Sequence, residues 1–291
     1  MAISNELVEP FILIRGGGDL ASGIAIRLHR CGFLVGVAEL PGPLTVRRLV
    51  SFSEAVYRGA CQIEEVTGTL AVTIQDAVGI LHKHQVAVMV DPECTSFNSL
   101  RPMAVIDARM LKHDPGTGLV DQPMLIGLGP GFIAGENCHA VIETNRGPHL
   151  GRVFWQGCAE EDTRLPEQVS GYREERVLRA PADGVLHTEV MLGQILDVGD
   201  LVAWVTGQPV RAPFKGVLRG LVHDGLEVSV GMKIGDIDPR LDPQLAYQVS
   251  DKALSIGGGV LEALLSDPAI RLKLGRSEER RVGKECRSRW S

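Results

Sequence analysis

An α/β fold is predicted for this chain, with a mainly parallel sheet in its first half and a smaller all-β unit in its second. Three observations predict it. Apolar strand-like runs alternate with helical periodicity up to about residue 150. A glycine-rich turn at Gly16, Gly17 and Gly18 joins the first strand to the first helix. Further on, "RAPADGVL" (179–186) recurs 32 positions later as "RAPFKGVL" (211–218).

The elements follow in order. "FILIR" (11–15) reads as a buried strand, "LASGIAIRLHR" (20–30) as a helix, and "FLVGVAEL" (33–40) as a second strand after a turn at Gly32. This is a βαβ unit with a right-handed crossover. Strand patterns at 68–74, 85–91, 102–109 and 123–131, and a helix over 75–83, extend it. Ligands are expected at the carboxyl ends of such strands. Residues 1–156 are therefore read as a Rossmann-like nucleotide- or cofactor-binding domain.

The glycine turn carries the functional signal. Gly16, Gly18 and Ala21 meet a G-x-G-x-x-A spacing between a strand and a helix. Gly16 permits the tight turn, Gly18 lets a diphosphate approach the backbone, and Ala21 allows close helix–strand packing. The helix mouth offers unpaired N–H groups and a partial positive charge. Glu39, closing the second strand, is placed to accept bonds from ribose hydroxyls. Asp19 acts in the opposite sense: it can cap the same N–H groups, and it repels a diphosphate unless Arg15 or a cation offsets it. A nucleotide cradle and a plain tight connection both remain open.

A second turn, "GLGPGFIAG" (127–135), contains Gly129, Gly131 and Gly135 and is stiffened by Pro130. It reads either as a cover over a ligand on the first turn or as a rigid connection. Cys94, just past a strand end, is the candidate catalytic thiol for sulfur or selenium transfer, with Cys138 in the second glycine turn as a second candidate; the role needs a lowered pKa and solvent access. No metal site is expected: His139, Glu143 and Arg146 lack metal-ligand spacing.

Residues 157–176 read as a linker and 177–240 as a duplicated β unit of about four strands per copy. Two such halves resemble the biotinyl/lipoyl-type barrel-sandwich domain. Its carrier lysine is missing from the hairpin "VTGQPV" (205–210), and Lys215 falls in another turn, which argues against a swinging arm. A C-terminal helical segment, 241–275, has a capping signal at Ser250 and Asp251 and an amphipathic helix from Val260, with Gly257–Gly259 read as a hinge between helices rather than a close approach of the backbone to a ligand or the sheet. The tail, 276–291, carries six basic and three acidic residues without amphipathic pattern and reads as a non-native extension.

Composition excludes several classes. With 291 residues, 44% hydrophobic and 23% charged, the chain has material for two modest cores. A net charge of −6 gives no case for nucleic acid or an anionic membrane surface. No apolar run approaches the roughly 18 residues of a membrane span. The acidic start "MAISNELVEP" has no signal segment, and six cysteines without a C-x-x-C pair argue against disulfide or zinc frameworks. A cytoplasmic location is expected.

"IRGGGDLASGIAIRLHRCGF", "ELPGPLTVRRLVSFSEAVYRG", "IGLGPGFIAGENCHAVIETNRGPHLGRV", "ERVLRAPADGVL" and "SDKALSIGGGVLEALL" together resemble the YqeB family over about residues 10–275. The resemblance implies an accessory or maturation protein of selenium-dependent molybdenum hydroxylases, distantly similar to the XdhC/CoxI maturation factors. It further implies a nucleotide or molybdopterin-type dinucleotide as cofactor and a molybdenum hydroxylase apo-enzyme as partner, and it supplies no established catalytic residue. Two other readings stand beside it: an NAD(P)-dependent oxidoreductase, although no Tyr-x-x-x-Lys pair is present, and a non-catalytic scaffold with an empty glycine turn. Whether the chain is an enzyme, or a homo-oligomer, stays open.

Overall fold

A computed structural model describes Leu7 and residues 9–116, 123–161 and 168–276; nearly all of the predicted C-terminal extension lies outside them. The chain begins with β1 (Phe11–Arg15), α1 (Asp19–Arg30) and β2 (Leu34–Glu39). Then come α2 (Glu54–Arg58), β3 (Ala60–Ile63), β4 (Val66–Ala71), α3 (Ile74–Leu81), β5 (Val86–Val90), α4 (Thr95–Asn98) and β6 (Ala104–Asp107). Next are β7 (Met124–Leu128), β8 (Ile133–Ala134), β9 (Ala140–Ile142), β10 (Val153–Phe154) and β11 (Gly157–Cys158).

These strands build one sheet in the order β10-β9-β7-β6-β1-β2-β5-β4-β3, while β8 pairs with β11 separately. The seven strands from β9 to β4 run parallel; the edge strands β3 and β10 are antiparallel. Residues 11–14 of β1, all of β2 and residues 86–89 of β5 are buried, as central parallel strands require. Thr73 and Asp76 form a reciprocal capping box that starts α3. Gly32, at φ +87°, stops α1.

One face of the sheet packs Phe11, Leu13 and Met89 against Val78 and Leu81 of α3 and Phe97 of α4. The other packs Ile12 and Ile14 against Ile24 and Leu28 of α1 and Ile256, Val260 and Leu264 of α5 (Asp251–Ser266). The hinge expected at Gly257–Gly259 is corrected here: α5 runs unbroken through all three glycines. A Cβ at Gly257 would lie 3.3 Å from Gly23 O on α1, and one at Gly259 would collide with Gly151 O. Each glycine costs a helix about 1 kcal/mol. Burying each large aliphatic side chain of α5 returns about 1.5–3 kcal/mol, so close packing prevails over local propensity.

The second unit comprises β12 (Val177–Arg179), β13 (Gly184–His187), β14 (Ile195–Leu196), β15 (Leu201–Val205), β16 (Gln208–Arg211), β17 (Gly216–Leu221), β18 (Glu227–Val228) and β19 (Lys233–Asp238). They form two four-stranded antiparallel sheets, β12-β19-β17-β14 and β16-β15-β13-β18. The 32-residue repeat is visible in them, since β14 and β18 occupy equivalent positions of the two copies. Each sheet draws strands from both copies, around a separate core that includes Leu186, Val205, Leu218 and Ile237.

The predicted pairing of a Rossmann-like domain with a biotinyl/lipoyl-like barrel-sandwich is overturned by these sheets. The large sheet is mixed and nine-stranded, and the second unit is a pair of antiparallel sheets. The physical reason lies in the connections. Described residues after β6, "ARMLKHDPG", hold Gly and Pro and form no helix, so the alternating helical layer of a doubly wound domain is incomplete. Hydrophobic periodicity specifies strands, but not which neighbours they pair with.

The two units meet at a strap, residues 45–53, between β2 and α2. Val46 packs against Gly220, where an added Cβ would lie 2.8 Å from Val46 Cγ1. Arg47 donates to Leu245 O and Gln248 O, at 3.1 and 3.0 Å. Arg48 donates to Leu221 O at 2.7 Å and lies against His223, which bonds Glu54 at 2.7 Å. Among the described residues, no single helix is long and apolar enough to cross a membrane.

Candidate functional site

In the large sheet the strand order reverses at β1: the chain passes from β1 to β2 on one side and later returns to β6 on the other. Ligands of open α/β sheets bind outside the carboxyl ends of strands at such a switch point. Arg15 and Asp107 face each other there in register, and the Gly16–Gly18 turn follows immediately.

The glycine turn is held from below and left open in front. Gly16 adopts φ +90°, a left-handed conformation suited to glycine, and its N–H donates to Ala38 O at 2.8 Å. A Cβ on Gly17 would crowd Ser53 N, Val37 and Glu39. Gly18 is the N-cap of α1, with no side-chain cap, and a Cβ there would meet nothing within 4 Å. Ala21 is buried in the core that includes Ile12 and Ile14 of β1.

Glu39 does something the sequence did not suggest. Gly17 N–H donates to its Oε2 at 2.6 Å and Leu40 N–H to its Oε1 at 2.7 Å. Both oxygens therefore shape the turn. The strap completes the frame: Ser53 N–H donates to Gly17 O at 3.0 Å, Ser22 Oγ–H donates to Gly17 O at 3.2 Å, and Phe52 N–H donates to Ser22 Oγ at 2.8 Å.

Asp19 does not cap the helix. Its carboxylate, 37% exposed, lies 3.7 Å from Nη1 of Arg47, whose side chain is only 8% exposed. Burial, and then the nearby Arg219 guanidinium, push Arg47 below the usual arginine range. Arg15, the expected partner of Asp19, instead lies 3.5 Å from Asp107 and donates to Pro92 O at 3.3 Å.

Asp107 is buried and bracketed by Arg109, whose backbone N–H, Nε and Nη2 all donate to its carboxylate at 2.6–3.2 Å. The same arrangement recurs at Asp238 and Arg240 after β19, with Arg219 and Arg176 adding charge. Sequence reading missed both brackets, and Arg47. The repeated "IDAR" and "IDPR" were the available signal.

Cys94 lies near this switch point but in unfavourable surroundings for a nucleophile. It is buried, in a left-handed backbone conformation at φ 58°, beside Phe11 and Phe97. Burial pushes its thiol up to about 11, against the lowering effect of Arg15. A thiolate is scarce at neutral pH under those conditions.

The second glycine turn is filled by the chain itself. Gly131 N–H donates to Leu111 O at 2.9 Å, and a Cβ at Gly131 would strike the carbonyls of Leu111 and His113. A Cβ at Gly129, φ +102°, would lie 3.1 Å from Leu111 O. The two turns touch successive stretches of one segment, since Gly16 lies against Ala108 and Arg109. Among the described residues, no group of three or more His, Cys, Asp or Glu is arranged to hold a metal ion.

No protein-family model matches the chain. It is 46% identical over 265 residues, 91% of its length, to Uncharacterized protein YqeB of Escherichia coli (strain K12), of which it spans 49%. That likeness supports the YqeB resemblance. Among solved structures it is similar to an aspartoacylase family protein from Mesorhizobium loti, at 14% identity and TM-score 0.25, covering 79% of this chain and 85% of that one. A succinylglutamate desuccinylase from Silicibacter sp. TM1040 gives 14% identity and TM-score 0.23, covering 79% and 84%. Overlap this slight transfers no substrate or residue role.

Proposed function

We propose that the chain is a cytoplasmic accessory protein that binds a phosphate-bearing cofactor, a nucleotide or molybdopterin-type dinucleotide, at Gly16–Gly18 and the mouth of α1. The observation that carries this reading is the open space before Gly18, at the end of a 12-residue helix without a side-chain cap. Backbone N–H groups and the helix dipole there favour an anion. Gly16, Gly17 and Glu39 fix the turn that would receive it, and Ala21 seats the helix against the sheet. Service to a molybdenum hydroxylase apo-enzyme is the part of the proposal that rests on the YqeB resemblance.

The oxidoreductase reading is less favoured, because Glu39 spends both oxygens on backbone donors rather than on a ribose. Calorimetric titration with NAD+, ATP, CTP and molybdopterin cytosine dinucleotide tests the proposal. Saturable binding of at least one, lost in Gly18→Val, is the expected result; no heat with any of the four overturns it. Co-purification with the apo-hydroxylase tests the partner.

A further inference from the structure

The charges around the α1 mouth are unevenly satisfied. On the second unit, Asp236 accepts from Arg219 Nε at 2.6 Å, and Asp238 accepts from Arg240. Arg176 lies 3.6 and 3.7 Å from the same two carboxylates. Those acids are thus engaged by their own unit. Arg47, facing them from the strap, places one nitrogen on two carbonyls and lies 3.7 Å from Asp19, beyond hydrogen-bond reach. Its Nε is buried and has no hydrogen-bond partner. A buried guanidinium with an unpartnered donor is costly, and an anion meeting Nη1, the nitrogen on the Asp19 side, adds counter-charge to a side chain whose nearest carboxylate is beyond hydrogen-bond reach.

We propose that Arg47 is the second anchor of the ligand bound at the glycine turn, and that the group recognised is a diphosphate: one phosphate on the α1 mouth, the other on Arg47, with Asp19 competing for the same arginine. This rests on the binding reading above and deepens it to a ligand class. Arginine suits the task, because its planar fork meets phosphate oxygens with charge-assisted bonds. Asp19 then has a definite role. It partly neutralises Arg47 in the ligand-free protein, and it disfavours a single phosphate, which gains less from the two anchors than it loses to the carboxylate. The lowered proton affinity of Arg47, caused first by burial, points the same way.

The test uses the full chain and three probes, inorganic phosphate, inorganic pyrophosphate and CDP, each titrated by calorimetry. Pyrophosphate and CDP are expected to bind and phosphate to bind much more weakly. Arg47→Lys should weaken CDP by about 10- to 100-fold, the worth of a charge-assisted bond, while Asp19→Asn should tighten it. Because Arg47 also clasps Leu245 and Gln248, melting curves check that Arg47→Lys is folded, and Asp19→Asn keeps the test decisive if it is not. If Gly18→Val abolishes binding while Asp19→Asn and a folded Arg47→Lys leave it unchanged, the Arg47 inference falls and the site reading stands. If none of the three probes binds while a dinucleotide of the site test does, the diphosphate inference falls and the site reading stands; if Gly18→Val leaves binding unchanged, the site reading falls and takes this inference with it. Equal affinity for phosphate and pyrophosphate overturns the diphosphate assignment.

Discussion

The two glycine-rich turns of the large sheet look alike in sequence and serve opposite ends. At Gly16–Gly18 the missing side chains leave room: nothing lies within 4 Å of a Cβ at Gly18. At Gly129 and Gly131 they admit the chain's own backbone, the carbonyls of Leu111 and His113. Surroundings differ as well. The first turn is framed by a carboxylate, a strap and a charged seam to the second unit, and the second turn by a neighbouring loop. Glycine content therefore marks close approach in general, and only the fold decides whether a ligand or a peptide makes it.

The largest expected effect breaks the second turn. Gly131→Val drives a branched side chain into two fixed carbonyls and should cost about 3 kcal/mol in urea unfolding. The same substitution at Gly18 should cost far less. Comparable losses at both would erase the distinction drawn between them.

Acid should act on the seam beside the first turn. Burial raises the Asp238 carboxyl, but hydrogen bonds from Arg240 and the charge of Arg219 outweigh it and hold it at about 2. A depressed folded value contributes stability that is present above the unfolded value near 3.8 and is lost as pH falls through about 2. Between pH 4 and 2 the protein should lose about 2 kcal/mol from this group. Asp238→Asn should be less stable at neutral pH and lack that component in its acid titration.

A smaller effect sharpens the account of Glu39. Glu39→Gln keeps one acceptor oxygen for the two N–H groups of Gly17 and Leu40, and should cost about 1 kcal/mol. Faster amide exchange at Gly17 would accompany it, with exchange at Gly131 unchanged. The smallest stability change belongs to Gly18→Ala: below about 1 kcal/mol, the cost of alanine at an N-cap. Among the described cysteines, a native-state alkylation time course should label the exposed Cys31 and Cys158 first, and Cys94 only on unfolding.

Sequence and structure agree where the physics is local. The strand at Phe11–Arg15, the turn at Gly16, the stop at Gly32 and the 32-residue repeat follow from hydrophobic period and glycine conformation, which near neighbours set. The brackets at Asp107–Arg109 and Asp238–Arg240 were legible as a repeated four-residue pattern and passed unread. The Asp19–Arg47 pair was not legible, because 28 positions of chain separate its members and only the strap's course brings them together. The role of Gly257–Gly259 was legible only as an alternative: local propensity favours a hinge, and helix packing makes it a contact face.

By itself, then, the sequence determined the strands β1, β2 and β4–β7, the first helix, the tight turn at Gly16 and a duplicated β unit, since these rest on periodicity and backbone freedom. Tertiary structure alone decided how the strands pair into one mixed sheet, a short antiparallel pair and two four-stranded antiparallel sheets. It also decided that Glu39 serves the turn, that Cys94 is shielded, and that Arg47 meets Asp19 at the helix mouth. Those outcomes depend on which distant segments are driven together by burial, and burial is a property of the whole fold.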